Sequence, residues 1–294
     1  MKLLLIGQSV EDHIFYKDVQ EVKPGGIYYS VNALQNIKDS GDEIFLCTAY
    51  RKGDPLFSDL YNMVNTSLLN YTDVIPGVRL NIYDDRERDE IYKNITGRLD
   101  VKASAFNLFD GILINMVTGF DISLEQLEDI RNNYDGPVYF DVHTFSRGLN
   151  ENMEREFRLI PGFDKWLQNI DILQVNTREL FTIADSDNKE EIIRYVLGTN
   201  VKYLLETRGS RGAVCYSITD GKIIVKEMRA LKTDVKNQVG LGDVFGAVFF
   251  YTYIKNRSVD SALKDAVAAS GYAASYSNMN DFNRLKDDVF SRNN

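Results

Sequence analysis

Gly240, Leu241, Gly242 and Asp243 stand directly before "VFGAVFFYTYI", an apolar run of helical length. Two chemistries fit that placement. In the first, the glycines relax a turn and Asp243 caps the first N–H groups of a helix. In the second, the backbone N–H groups of 240–242 cradle an oxyanion or a phosphate, and Asp243 is a base beside it. Either way, the run after Asp243 must be a buried helix, with other elements bringing further polar groups to its start.

Those elements follow a regular alternation. "KLLLIG" predicts a buried strand ending at Gly7, "IYYSVNALQNIK" after Pro24, Gly25 and Gly26 predicts a helix, and "EIFLCTAY" at 43–50 another strand. This strand, helix, strand unit belongs to a parallel sheet. After residue 100 come the strand "FDGILINMV", the helix "SLEQLEDIRNNY" with Ser123 and Gln126 at capping-box spacing, and the strand "GPVYFDV". Next are the strand in "WLQNIDILQVN", the helix "KEEIIRYVLG", the strand "VKYLLETRG", and two antiparallel strands, "GAVCYSI" and "GKIIVKEMR". Two helices at about 242–256 and 259–277 and a charged tail end the chain. The expected fold is a doubly wound α/β sheet with its ligands at the carboxyl ends of the strands. Strand-like alternation in "DHIFYKDVQEV" and "PGVRLNIYDDRERDEIYKNI" departs from this rhythm. These stretches, about 12–24 and 76–95, are read as a small β flap on a single domain spanning 1–294, either closing over a site or forming an ordinary edge hairpin.

Bulk composition narrows the function. With 44% apolar and 26% charged residues, the 294-residue chain has the balance of a globular protein. Its 43 acidic and 34 basic side chains give a net charge of −9, which argues against nucleic-acid or membrane-surface partners. An anionic ligand then needs local donors or a metal ion. Cys47 and Cys215 suggest neither disulfide nor zinc site and fit a reducing cytoplasm. Two histidines, His13 and His143, exclude a multi-histidine metal centre. The N-terminal apolar run turns polar too soon for a signal peptide or a spanning helix.

Four motifs in order give the chain a resemblance to the ribokinase/PfkB family of carbohydrate kinases. "PGGIYYSVNAL" at 24–34 is similar to the family's double-glycine signature, and "NTRE" at 176–179 to its Asn-x-x-Glu motif. "TRGSRG" at 207–212 matches the Thr-x-Gly-x-x-Gly loop, and "VGLGD" at 239–243 resembles the anion-hole signature. The resemblance implies a ribokinase-like fold with a β lid and ATP-dependent, Mg²⁺-dependent phosphorylation of a sugar or sugar-like alcohol. Asp243 is then the base that takes the hydroxyl proton, a role worth about 100- to 10,000-fold in rate, and Gly240, Leu241 and Gly242 form the anion hole. It implies sugar contacts from Asp12, Gly25, Gly26 and Ser30, nucleotide contacts from Thr207, Gly209 and Gly212, and Mg²⁺ organised through water by Asn176 and Glu179. Arg178 and Arg208 lie in phosphate-proximal signatures, with surface solvation as the alternative for each. Asp141 ends a strand in the switch region, and His143 either meets substrate or is structural. In some family members the flap edge pairs with a second copy, so a homodimer and a monomer both remain open.

The chain departs from the family at several positions. Asn237 and Gln238 replace the usual Asp-Thr, which weakens the case for monovalent-cation activation. Leu241 replaces a small residue, Ser30 stands where Asn is usual, and so does His143. The alternative reading is a catalytically weakened, sugar- or nucleotide-binding regulatory member of the same fold. The acceptor is open among ribose, fructose, a nucleoside and a sugar phosphate.

Overall fold

The computed structural model describes residues 1–83 and 89–291, with the backbone alone at 103–105. Eight strands form one sheet, in the order Lys222–Met228, Ala213–Thr219, Tyr203–Thr207, Ile172–Asn176, Val138–Asp141, Gly111–Asn115, Lys2–Ile6 and Glu43–Cys47. The six from Tyr203–Thr207 onward run parallel, and the two at the opposite edge pair antiparallel. This is the mostly parallel α/β fold expected from the alternation. After Lys2–Ile6 the chain steps outward to Glu43–Cys47, then returns on the other side of Lys2–Ile6 at Gly111–Asn115. Ligands of open α/β sheets bind outside the carboxyl ends of the strands at such a switch point.

Burial explains why these runs are strands: Leu3 to Ile6, Ile112 to Ile114 and Val138 to Phe140 are almost wholly inaccessible, as strands covered on both faces must be. The helix Leu241–Asn256 is equally enclosed, with Val244 to Thr252 all buried. It lies close to the sheet because side chains are missing at two points. A Cβ at Gly111 would come within 2.7 Å of the Phe250 ring, and one at Gly246 within 2.7 Å of Gln174. Phe245, Phe249 and Tyr253 stack along one side of the helix at centroid spacings of 6.2 and 6.3 Å.

A separate four-stranded sheet has the order Val19–Gly26, Ser9–Tyr16, Gly77–Asn81 and Asp89–Asn94. Its central pair is parallel, and its outer pairs are antiparallel with a register shift at Gly77/Val78. The strands begin at Ser9 and reach Gly26, extending beyond the expected 12–24 stretch. Residues 84–88, within the charged turn expected between the last two strands, lie outside the described residues.

Two expectations need correction. "EIFLCTAY" is not one strand: Glu43–Cys47 belongs to the large sheet, while Ala49–Tyr50 pairs with Asn70–Tyr71. The charged tail is not merely a tail. Asn278 caps a 3₁₀ turn, Met279–Arg284, and Leu285–Phe290 is helical. Phe282, Leu285 and Val289, spaced three and four residues apart among the charges, bury one face of it.

Because Phe250 fills the space over Gly111, Phe250→Ala should leave a cavity there. Urea denaturation is expected to show a loss of about 3 to 5 kcal/mol.

Candidate functional site

Sheet register builds the site floor. Asp141 is level with Asn115 on one side and Gln174 on the other, and Asn176 is level with Thr207. Polar residues therefore line up at the carboxyl ends of adjacent parallel strands, all buried except the half-buried Asn176 and Thr207. Above them, the helix Leu241–Asn256 begins. Gly240 has φ +76°, a left-handed conformation, and a Cβ there would lie 2.2 Å from the Tyr29 ring. Glycine is thus required at 240 both for conformation and for space. The first N–H groups of the helix have no partner within it and carry its positive dipole end.

Asp243 lies in the first turn and is buried. Its Oδ1 accepts from Asn115 Nδ2 at 2.5 Å. Gln174 Nε2 donates to Asp141 Oδ2 at 2.8 Å and to the Gly242 carbonyl at 3.2 Å. Gln174 Oε1 accepts from Tyr139 Oη, so the amide orientation is set from the sheet side.

Two cavities meet at this point. The smaller, of about 50 Å³, is lined by Asp12, Gly26, Tyr29, Tyr92, Thr144 and aliphatic side chains including Val10, Val78 and Leu80. The larger, of about 850 Å³, runs past Asn176, Glu179, Thr207, Gly209, Gly212 and the 240–243 turn to an apolar wall of Ala230, Leu231, Val235, Val267 and Ala274. Glu90, His143, Gly240 and Asp243 line both.

Asp12 is buried, and a Cβ at Gly25 would fall 2.2 Å from its carboxylate, so glycine at 25 is what makes room for the acid. Gly26, at φ +63°, packs against the Gln8 carbonyl. Ser30 lines neither cavity; its Oγ donates to the Asp243 carbonyl at 3.3 Å, behind the site.

Asn176 and Glu179 form a closed loop. Glu179 accepts from the Asn176 backbone N and Nδ2, both at 2.7 Å, and Asn176 Oδ1 accepts from the N–H groups of Arg178 and Glu179. Gly212, at φ +95°, has the Met228 carbonyl where a Cβ would be, and its own carbonyl accepts from Arg208 N. Arg178 and Arg208 line neither cavity. Arg208 turns back to Glu206 at 3.1 Å and Tyr216 at 2.7 Å, and Arg178 lies over the Phe157 ring.

His143 sits at the junction with φ +41°, a strained conformation for a residue with a side chain. Its N–H donates to Asp141 Oδ1 at 3.2 Å. Thr144 Oγ1 gives its only proton to the Val117 carbonyl, so the 2.6 Å contact with His143 Nδ1 requires Nδ1 to be the donor. Asn115, Gln174, Glu90 and Arg147 escaped the sequence reading. For Asn115 and Gln174 a signal existed: each interrupts an otherwise apolar buried strand.

The carboxylates raise one another's pKa. Burial pushes Glu179 up to about 7, with Glu90 and Asp243 adding to the rise while Asn176 and Arg147 oppose it. Burial, then Glu179 and Asp243, hold Asp141 well above the usual carboxylate range.

Residues 149–284 match the pfkB family carbohydrate kinase. No curated protein matches the sequence. A pyrophosphate-dependent kinase in the ribokinase family, complexed with a pyrophosphate analog and myo-inositol, superposes with a TM-score of 0.75 at 17% identity, covering 94% of this chain and 96% of that one. Arabidopsis thaliana ribokinase complexed with ribose and ATP gives 0.72 at 14%, covering 97% and 98%, and ribokinase from Giardia lamblia 0.74 at 14%, covering 100% and 99%. At these identities the likeness is one of fold. The architecture is therefore ribokinase-like along nearly the whole chain. The family match covers residues 149–284, and beyond that segment the likeness is one of fold.

The raised Glu179 pKa makes stability depend on pH. Folded Glu179 keeps a proton that the unfolded chain releases above the ordinary value of 4.5. Its contribution is complete below that value and is lost as pH rises through about 7. In buffer free of divalent cations, Glu179→Gln should flatten the fall in urea midpoint between pH 5 and pH 8, by on the order of 1 to 3 kcal/mol. Equal slopes in the two proteins would contradict this origin.

Proposed function

We propose that this protein transfers the terminal phosphoryl group of Mg²⁺·ATP to a hydroxyl of a sugar or sugar-like small molecule. The observation that carries the reading is the position of Asp243: buried, beside a helix N-terminus, and shared by a small polar cavity and a large groove. Such a junction is what an in-line transfer between an alcohol and a phosphate ester needs.

The acceptor occupies the smaller cavity, with Asp12 and the Gly25–Gly26 backbone holding its hydroxyls. Asp243 takes the proton of the reacting hydroxyl. The acceptor oxygen bonds to phosphorus as the bridging P–O bond breaks, and that electron pair leaves on ADP. Backbone N–H groups at 240–242 hold the phosphoryl oxygens as their charge redistributes. The four-stranded sheet serves as a lid, since Val10, Val78, Leu80 and Tyr92 on it close one side of the cavity and exclude water.

The nucleotide lies in the larger cavity past Thr207, Gly209 and Gly212. The apolar wall there suits a purine face, which favours ATP over a donor without a base. A. thaliana ribokinase is complexed with ATP.

Mg²⁺ fits the inner end of this groove. Asp243 disfavours the ionisation of both Asp141 and Glu179, which is the field a divalent cation would relieve. Among the described residues no cluster of three or more His, Cys, Asp or Glu is arranged to ligate a metal, which suits Mg²⁺ held mainly by water and phosphate. Asn176 and Glu179 would hold its waters, and the ion would neutralise phosphate charge.

ADP release with Mg²⁺·ATP, measured across sugars, polyols, nucleosides and sugar phosphates, tests the reading. Asp243→Asn should lower turnover about 100-fold or more with ATP affinity nearly unchanged. An unaltered rate would remove Asp243 as base. Absence of release with every acceptor, while ATP still binds, would leave a regulatory binding protein.

A further inference from the structure

A phosphoryl group entering the junction brings negative charge to a place where Asp141, Glu179 and Asp243 already lie. Besides His143, the described residues lining the larger cavity include two basic side chains, Arg147 and Lys232. Lys232 belongs to the stretch 230–235 that forms part of the apolar wall. Arg147 is at the carboxylate end.

Arg147 opens the short strand Arg147–Leu149, which pairs with Arg155–Phe157. Its Nη1 lies 3.1 Å from Glu90 Oε2, and Glu90, on the four-stranded sheet, lines both cavities. Its guanidinium also rests on the Phe157 ring, 4.6 Å from the centroid. The charge reaches the site, since it opposes the upward push on the Glu179 pKa. The Arg147 Nε–H is buried and has no hydrogen-bond partner among the described residues. The side chain as a whole keeps 21% of its surface exposed where it lines the groove, and a phosphoryl oxygen is an acceptor of matching charge and geometry.

We propose that Arg147 is a catalytic residue that binds the transferring phosphoryl group, with Glu90 holding its guanidinium at the junction of the two cavities. The proposal rests on the kinase reading above. During transfer Arg147 stays protonated: the acceptor proton goes to Asp243 and the electron pair of the broken P–O bond to ADP. Its contribution is the attraction of a fixed cation for oxygens whose charge shifts in the transition state.

The test compares native protein, Arg147→Ala and Arg147→Lys by acceptor-dependent ADP release, with ADP affinity measured by calorimetry. Arg147→Ala is expected to lose about 100- to 1,000-fold in kcat at nearly native ADP affinity. Partial recovery is expected in Arg147→Lys or on adding guanidinium to Arg147→Ala, which a merely structural role would not give. A kcat close to native, a loss matched by an equal loss of ADP affinity, or a loss that neither lysine nor guanidinium restores would overturn the proposal. If Arg147→Ala does not fold, Arg147→Lys decides: kcat lowered about tenfold or more at unchanged ADP affinity supports it, and native kcat refutes it. Absence of turnover in the native protein would instead remove the kinase reading itself, and the proposal with it.

Discussion

Three buried carboxylates facing the start of one helix form the constraint on which the rest of this structure depends. Asp141 and Glu179 resist ionisation because burial removes water and because Asp243 stands beside both. The N-terminus of Leu241–Asn256 and the Arg147 guanidinium supply positive potential there. The helix can do so only because it is apolar on every side and lies deep against the sheet. Gly111 and Gly246 permit that depth, and Gly240 permits the turn that aims the helix at the strand ends.

The polar network around this point is set mainly by parallel register. Asn115, Asp141 and Gln174 are level with one another, so the amide of Gln174 can reach both the Asp141 carboxylate and the Gly242 carbonyl. A slip of one residue would turn each side chain to the opposite face. Rigidity here matters to the proposed transfer, because a base and an anion hole would work only when held in one geometry. The smaller sheet contributes differently, bringing Asp12, Glu90 and apolar side chains against the junction from the other side.

The loops legible in the sequence were those whose chemistry is local. Gly240 to Asp243, Asn176 to Glu179 and Thr207 to Gly212 owe their shape to local backbone geometry and short-range hydrogen bonds, which residue types and spacing encode. Side chains reaching across the fold were harder to read. Arg178 and Arg208, inside two signatures, turn away because Phe157, Glu206 and Tyr216 hold them. Ser30, from the double-glycine signature, supports the backbone at Asp243 from behind.

By itself the sequence determined the alternation of strands and helices, the mostly parallel α/β class and the placement of glycine-rich turns after strands, since these follow from periodicity and short-range sterics. It also carried a family resemblance that the match at 149–284 and the fold sustain. Only the tertiary structure decided that Asp12, Glu90, Asn115, Arg147 and Asp243 converge, because they come from segments up to 231 residues apart. Their approach depends on strand order, register and the packing of one enclosed helix, none of which local sequence pattern specifies.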